Sequence, residues 1–210
     1  MCVIDKHQVD ETVKTIKRSF RLYMNGVTAQ SLRDKGAGYK LSWGVSNQHL
    51  REMAAEYPVD YGLAIALWKS EVRECKILAT LLMPADAMSR EVVDIWMEQL
   101  PNQEIGEQLV FNLLQHVDYA SVLAYEWMAS DNELYLICAY TLLGRLFMLG
   151  KEPNERGINE FLDQAGVALH SSSTAVQHAA MNCVIRFADL GEHYDNIAKQ
   201  AMGNLGFDFL

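Results

Sequence analysis

Two stretches about sixty residues apart constrain this chain most. "LWKSEVRECKILATLL" (Leu67 to Leu82) and "EWMASDNELYLICAYTLL" (Glu126 to Leu143) each open on a tryptophan, Trp68 and Trp127. Ser70 matches Ser130, and Ile77 and Ala79 match Ile137 and Ala139, at an offset of 60. Between them lies "EIGEQLVFNLL", and after them "TAVQHAAMNCVIRFADLG". Small residues recur at Ala79, Gly106, Ala139 and Ala179, where they let neighbouring helices approach closely. A self-similar helical pattern that steps in units of roughly 30–40 residues is the signature of an α-solenoid. A plain helical bundle is the structural alternative.

The rest of the chain agrees with helices. Four prolines, Pro58, Pro84, Pro101 and Pro153, fall between apolar runs, where a helix must break. Ser46, Ser89, Asp118 and Ser173 precede apolar-periodic runs and suit helix N-caps. The first helix is expected from about Val9 to Met24, with Ile16, Phe20 and Tyr23 on one apolar stripe. A short second helix is expected from about Ala29. "DKGAGYKLSWGVS" then reads as a tight connection packed by aromatic residues, with turns at Gly36, Gly38 and Gly44. It lacks the Gly-Lys-Ser/Thr order of a phosphate loop. Half of the 210 residues are hydrophobic, enough for a single domain, residues 1–210, with a substantial core.

Several function classes are disfavoured. No apolar run reaches the ~18 residues needed to cross a bilayer, and "MCVIDKHQVDE" has no signal-peptide core, so a cytoplasmic protein without membrane contact is expected. Cys2, Cys75, Cys138 and Cys183 are far apart, and the histidines form no ligand pair, so no metal site is expected. Reduced core thiols are the simpler reading. Trp43, Trp68, Trp96 and Trp127 sit in apolar surroundings and read as core, and His178, beside two alanines, reads as packed at a helix contact. "AMGNLGFDFL" (Ala201 to Leu210) is expected to pack back on the last repeat or to meet another chain.

Charge is uneven. Residues 1–80 carry 12 Lys and Arg against 9 Asp and Glu, and residues 81–210 carry 6 against 18. A basic face for phosphates must therefore come mostly from the first third of the chain. Lys14, Lys17, Arg18 and Arg21 are helically spaced, as are Lys69, Arg73 and Lys76. A solvated helix face is the other reading of both clusters. Arg51, Lys69, Arg73 and Lys76 are the strongest phosphate-contact candidates.

Three segments carry a family likeness: "YKLSWGVSNQHLREMA" (Tyr39 to Ala54), "LAIALWKSEVRECKILATLL" (Leu63 to Leu82) and "EVVDIWMEQLPNQEIGEQLVFNLL" (Glu91 to Leu114). On these the chain resembles the AlkD-type, HEAT-like-repeat DNA glycosylases of the DNA alkylation repair family. The resemblance implies an all-α fold, an α-α superhelix of HEAT-like (ARM-type) repeats forming a right-handed arc with a concave DNA face. It implies duplex DNA as partner, no cofactor, and excision of cationic alkylated purines without a base-flipping pocket. Cleaving the glycosidic bond of a cationic base leaves an oxocarbenium-like sugar, which a nearby carboxylate stabilises.

The family's Trp-Asp-x-x-Asp motif lies best on "QEIGEQ", which places the catalytic acid at Glu107 and the motif tryptophan, a DNA contact, at Gln103. Here the acid is one methylene longer and the aromatic face is absent. A Trp-x-Arg-Arg-like stretch of the family corresponds to Tyr135-Leu136-Ile137-Cys138, which is apolar. A late aromatic anchor has only Arg186 and Phe187 as stand-ins. Glu104 and Glu107 also suit a solvated first helical turn, where carboxylates complement the helix dipole. A non-catalytic HEAT-like scaffold that binds a protein, or binds DNA without chemistry, therefore stays open as the alternative.

Overall fold

A repeat that cannot bury its apolar face alone must stack on its neighbours, and helix after helix in this chain does so. The structure is a computed structural model that describes residues 6–208, with side chains from residue 7 onward. Cys2 and the last two residues of the C-terminal stretch, Phe209 and Leu210, lie outside the described residues. Twelve α-helices and no β-strand occur among the described residues. A lone parallel bridge joins Leu41 and Val72.

The chain divides into two compact units, residues 1–113 and 114–210. The first holds α1 (Lys6–Ser19), α2 (Gly26–Asp34), α3 (Asn47–Ala54), α4 (Tyr61–Trp68), α5 (Arg73–Leu82), α6 (Arg90–Glu98) and α7 (Gln103–Asn112). Within it α5 is the hub, packing on α3, α4 and α7, while α1 packs on α4. Ile16, Phe20, Leu50, Leu63, Leu67, Ile77, Leu78 and Trp96 are fully buried. The second unit holds α8 (Ala120–Met128), α9 (Glu133–Met148), α10 (Glu155–Leu169), α11 (Thr174–Ala188) and α12 (Glu192–Asn204). There α9 packs on α8 and α11, and α11 on α10 and α12. Phe147, Phe161 and Phe187 form its aromatic centre, with ring centroids 5.4 to 5.5 Å apart.

The repeat is visible in side-chain contacts at a nearly constant sequence distance. In the first unit Trp68 Nε1 donates to Gln99, Arg73 reaches Glu104, and Asn112 Nδ2 donates to Thr80, separations of 31, 31 and 32 residues. In the second, Tyr125 donates to the Gly157 carbonyl at 32 and Arg145 to Gln115 at 30. The sixty-residue offset in the sequence is thus about twice the structural step. Trp68 and Trp127 fall near the C-terminal ends of α4 and α8, and Ala79 and Ala139 are buried in the following α5 and α9. Gly144 shows why small residues recur: a Cβ there would lie 3.5 Å from the Cα of Cys183.

Local details depart from the sequence expectations in instructive ways. The first helix ends at Ser19 and tightens into a 3-10 turn, Phe20–Leu22, so the apolar phase shifts. Ile16 and Phe20 stay buried, but Tyr23 leaves the stripe and is exposed. The second helix starts three residues earlier than Ala29, because the Asn25 side chain accepts from Thr28 N at 3.1 Å and caps it. Ser46 and Ser173 cap α3 and α11 as expected, accepting from His49 N and Val176 N. Ser89 occupies the N-cap position of α6 without a side-chain cap. Asp118 is not a cap: α8 begins at Ala120 behind Tyr119. Asp60, Asn102, Asn132 and Asn154 cap four further helices. His178 is exposed rather than packed. Of the C-terminal stretch, Leu205 lies against Gly166 of α10 and the Phe207 ring meets His170.

No helix among the described residues is long and apolar enough to cross a membrane. Cys75, Cys138 and Cys183 are buried free thiols, and burial pushes Cys75 up to about 11. Three of the four tryptophans, Trp68, Trp96 and Trp127, are buried, and Trp43 is half-buried.

Candidate functional site

The polar centre of the first unit grows from the start of α5. Val72 enters the helix in extended backbone, and Arg73 N donates to the Leu41 carbonyl at 3.0 Å. This pins the glycine-rich connection beside the first turn of α5. Arg73 and Glu74 then point inward, 4% and 0% exposed. Buried charges persist only when paired and hydrogen-bonded, and both are.

The Arg73 fork is fully used. Nη2 donates to Glu104 Oε1 at 2.6 Å and Nε to Oε2 at 3.0 Å, a bidentate pair. Nη1 donates to the Val45 carbonyl at 2.8 Å and approaches Glu74 Oε1 at 3.4 Å, and Nη2 also reaches Asn47 Oδ1. Glu74 Oε1 accepts from Trp43 N at 3.0 Å, Val45 N at 3.3 Å and Ser42 Oγ at 3.3 Å. Together the two residues hold the 42–47 loop to α5 and the start of α7 to α5.

Tyr39 completes the network, its hydroxyl donating to Glu104 Oε2 at 2.5 Å. Asn102 Oδ1 caps α7 through Ile105 N and lies 3.1 Å from the same hydroxyl, while its Nδ2 donates to the Ala37 carbonyl at 2.5 Å. Burial and then Glu104 push the Tyr39 phenol well above its usual range. Burial alone would raise Glu104, but the hydrogen bonds from Arg73 and Tyr39 and the Arg73 charge hold it below the usual carboxylate range. Burial would likewise lower Arg73, and Glu104 with Glu74 reverses the direction.

A depressed carboxylate pKa stabilises the fold only while the group is ionised. Its contribution is present above the unfolded value near 4.5 and is lost as pH falls through the lower folded value. Urea midpoints measured from pH 7 to pH 2.5 are expected to fall more shallowly in acid for Glu104→Gln than for the wild type. Parallel acid limbs would show that the pair contributes nothing pH-dependent.

The sequence candidates are scattered across this unit. Glu107 is half-exposed on α7, where Gln103 Nε2 donates to its Oε1 at 2.7 Å. Gln103 is exposed. The two therefore form a local pair on the solvent side, one position before and three after Glu104 of the Arg73 network. Lys14, Arg18, Arg51 and Lys69 are exposed and Lys17 is half-buried; Lys14 pairs with Glu11 at 2.7 Å. Arg73 and Lys76 depart from the expected surface cluster. Helical spacing on α5 turns both inward, because α5 is enclosed by α3, α4 and α7. Arg73 is committed to Glu104. Lys76 Nζ donates to the Trp68 carbonyl at 3.0 Å and sits 4.2 Å from the Trp68 ring centroid. Burial lowers its pKa.

Trp68 in turn stacks on Trp96 at 4.0 Å and 2°. Beside this stack a cleft of about 450 Å³ is lined by Tyr39, Lys40, Trp68, Lys69, Lys76 and Gln99. Lys40 pairs with Glu71 at its rim. In the second unit Arg186 is exposed and paired with Asp189 at 3.0 Å, and Phe187 is buried in the aromatic centre. Among the described residues no three His, Cys, Asp or Glu side chains gather where they could hold a metal ion.

The Glu104–Arg73–Tyr39 network is what sequence reading misses. A signal existed: Asn102 two residues before Glu104 is a cap, and the 31-residue separation from Arg73 equals that of Trp68 and Gln99.

Exposed charge is concentrated elsewhere. Residues 12–51 hold eight Lys and Arg against a single acid, Asp34, a net +7 in a chain whose total is −9. All but Lys17 of these eight basic residues are exposed.

Among curated proteins none matches this chain. A solved structure, described as from a new family of proteins related to the HEAT-like repeat DNA glycosylases with affinity for branched DNA structures, is similar to it in fold. The TM-score is 0.80 at 17% identity, over 91% of this chain and 82% of that one. At that identity the likeness establishes the fold, an all-α HEAT-like repeat. The family model described as DNA alkylation repair enzyme matches residues 14–201. The chain therefore belongs to the DNA alkylation repair enzyme family.

Proposed function

We propose that this protein binds DNA through the basic N-terminal stretch of its HEAT-like repeats and excises cationic alkylated purines with Glu107 as the carboxylate. The observation that carries the binding is the +7 charge of residues 12–51 within an acidic chain. Phosphate neutralisation by clustered Lys and Arg supplies most of the sequence-independent affinity for DNA. Lys14, Lys17, Arg18, Arg51 and Lys69 are the phosphate contacts, with Gln103 beside the acid. Arg73 and Lys76 support the surface from inside. The affinity for branched DNA in the description of the structural relative is in keeping with this partner.

For the chemistry, Glu104 is unsuited despite its place in the motif region. Arg73 already neutralises it bidentately, so it offers little field to a developing sugar cation. Glu107 is the accessible carboxylate of the same helix, held on one oxygen by Gln103. An ionised carboxylate near the sugar stabilises the oxocarbenium-like transition state and orients water. This reading calls for no metal or organic cofactor.

The test has two arms. Charge reversal at Arg18 and Arg51 is expected to weaken duplex retention about tenfold at low salt and to flatten its salt dependence. Single-turnover release of 7-methylguanine from a methylated duplex, protein in excess, is expected to fall about a hundredfold in Glu107→Gln with retention unchanged. Equal release by both proteins would overturn the role of Glu107. Retention without release by the wild type would leave a DNA-binding protein without this chemistry.

A further inference from the structure

The corner between α1 and α2 holds its large apolar side chains outward. Leu22 is 79% exposed, Met24 57% and Val27 82%, and Tyr23 is also exposed. Scattered apolar residues on a surface need no explanation, but a contiguous group with a charged rim marks an interaction site. This group is also rigidly seated. Phe20, two residues before Leu22, is fully buried. Asn25 caps α2, its backbone N–H donates to the Trp43 carbonyl at 2.9 Å, and Gly44 passes directly against the Asn25 carbonyl.

The rim carries π faces and positive charge together. The Tyr23 ring lies 5.0 Å from the His49 ring at 32°. The Arg21 guanidinium sits over half-buried Trp43 at 5.9 Å. Arg18 precedes the corner on α1, and Arg51 follows His49 on α3. Cationic side chains interleaved with rings match nucleic acid whose bases are unstacked, since every base offers a π face and every linkage a phosphate. Apolar wedges also enter between base steps by unstacking them, a cost that is smallest where the bases are already unpaired.

We infer that the Leu22–Val27 corner, with Tyr23 and His49, is the surface that takes unpaired bases where a DNA duplex opens. Leu22, Met24 and Val27 fill the gap left by the missing partner strand, and Arg18 and Arg21 hold the flanking phosphates. Intact duplex meets only the charges. This inference rests on the DNA-binding reading and adds to it the structure that the protein prefers.

The probe is a forked duplex with 2-aminopurine as the first unpaired nucleotide, compared with a fully paired duplex of equal length. Wild type is expected to quench the 2-aminopurine and to bind the fork about tenfold tighter than the duplex. A triple variant, Leu22→Ser, Met24→Ser and Val27→Ser, changes only exposed side chains. It is expected to keep duplex affinity while losing both the quenching and the preference for the fork. Arg18→Glu is expected to weaken fork and duplex alike. Equal binding of fork and duplex by wild type, or an unchanged preference in the triple variant, would overturn the inference while leaving DNA binding intact. Failure to retain either DNA would overturn both readings. Loss of binding to phosphatidylglycerol vesicles in the triple variant, with fork binding unaltered, would assign the corner to a lipid surface instead.

Discussion

Arg73→Ala is expected to lower the unfolding free energy by about 3–5 kcal/mol, the cost of removing one partner from a buried charge network. The loss has identifiable parts. Glu104 loses its bidentate partner, and Glu74, 0% exposed, loses the guanidinium 3.4 Å from its Oε1. The Val45 carbonyl loses its donor. One oxygen of Glu74, Oε2, already has no hydrogen-bond partner, so this carboxylate has little in reserve. Arg73→Lys is expected to recover less than half of the loss, because an ammonium cannot reproduce the planar fork that spans Glu104 and Val45. Urea denaturation at pH 7 measures both. A cost under about 1 kcal/mol for Arg73→Ala would mean that the network contributes no more than a surface pair does.

Gly44→Ala is the second large effect, and its origin is steric. Gly44 has φ of +69°, a region costly for any residue with a Cβ. A Cβ there would lie 2.2 Å from the Asn25 carbonyl oxygen and 2.7 Å from Ala29 N. Both are backbone atoms of the α2 N-terminus, so no rotamer change relieves the contact. The left-handed conformation costs about 1–2 kcal/mol and the overpacking about 1–3 kcal/mol more. The Asn25–Trp43 hydrogen bond is expected to break, moving the Leu22–Val27 corner with it. A thermal scan and duplex retention at low salt measure the two consequences. Gly36→Ala serves as the comparison, because Gly36 shares the positive φ but a Cβ there meets nothing within 4 Å. Equal losses at the two glycines would mean that the close approach to α2 is unimportant.

The helical class was legible because it depends on near-neighbour physics. Proline positions, the recurring small residues and the Trp68 and Trp127 offset each follow from how one helix starts, stops and packs on the next. The glycine-rich connection was legible for the same reason: Gly36, Gly38 and Gly44 all have positive φ. The N-caps were read in part, since serine before an apolar run is a visible signal and the asparagines at 25, 102, 132 and 154 look like ordinary loop residues.

The charges were different. Lys69, Arg73 and Lys76 share a helical spacing in the sequence, yet Lys69 lies in the exposed turn that ends α4, and Arg73 and Lys76 are buried on α5. Which face of α5 is wet depends on α3, α4 and α7 surrounding it, and no local pattern carries that. The same holds for the two glutamates. Glu104 and Glu107 are three residues apart on one helix, yet α5 presents Arg73 to Glu104, while Glu107 is held by Gln103 of its own helix. By itself the sequence determined the helices, their breaks, the loose repeat and the concentration of positive charge in the first third. The tertiary structure alone decided which of those charges face solvent and which hold the fold, because burial and pairing are set by residues some thirty positions away.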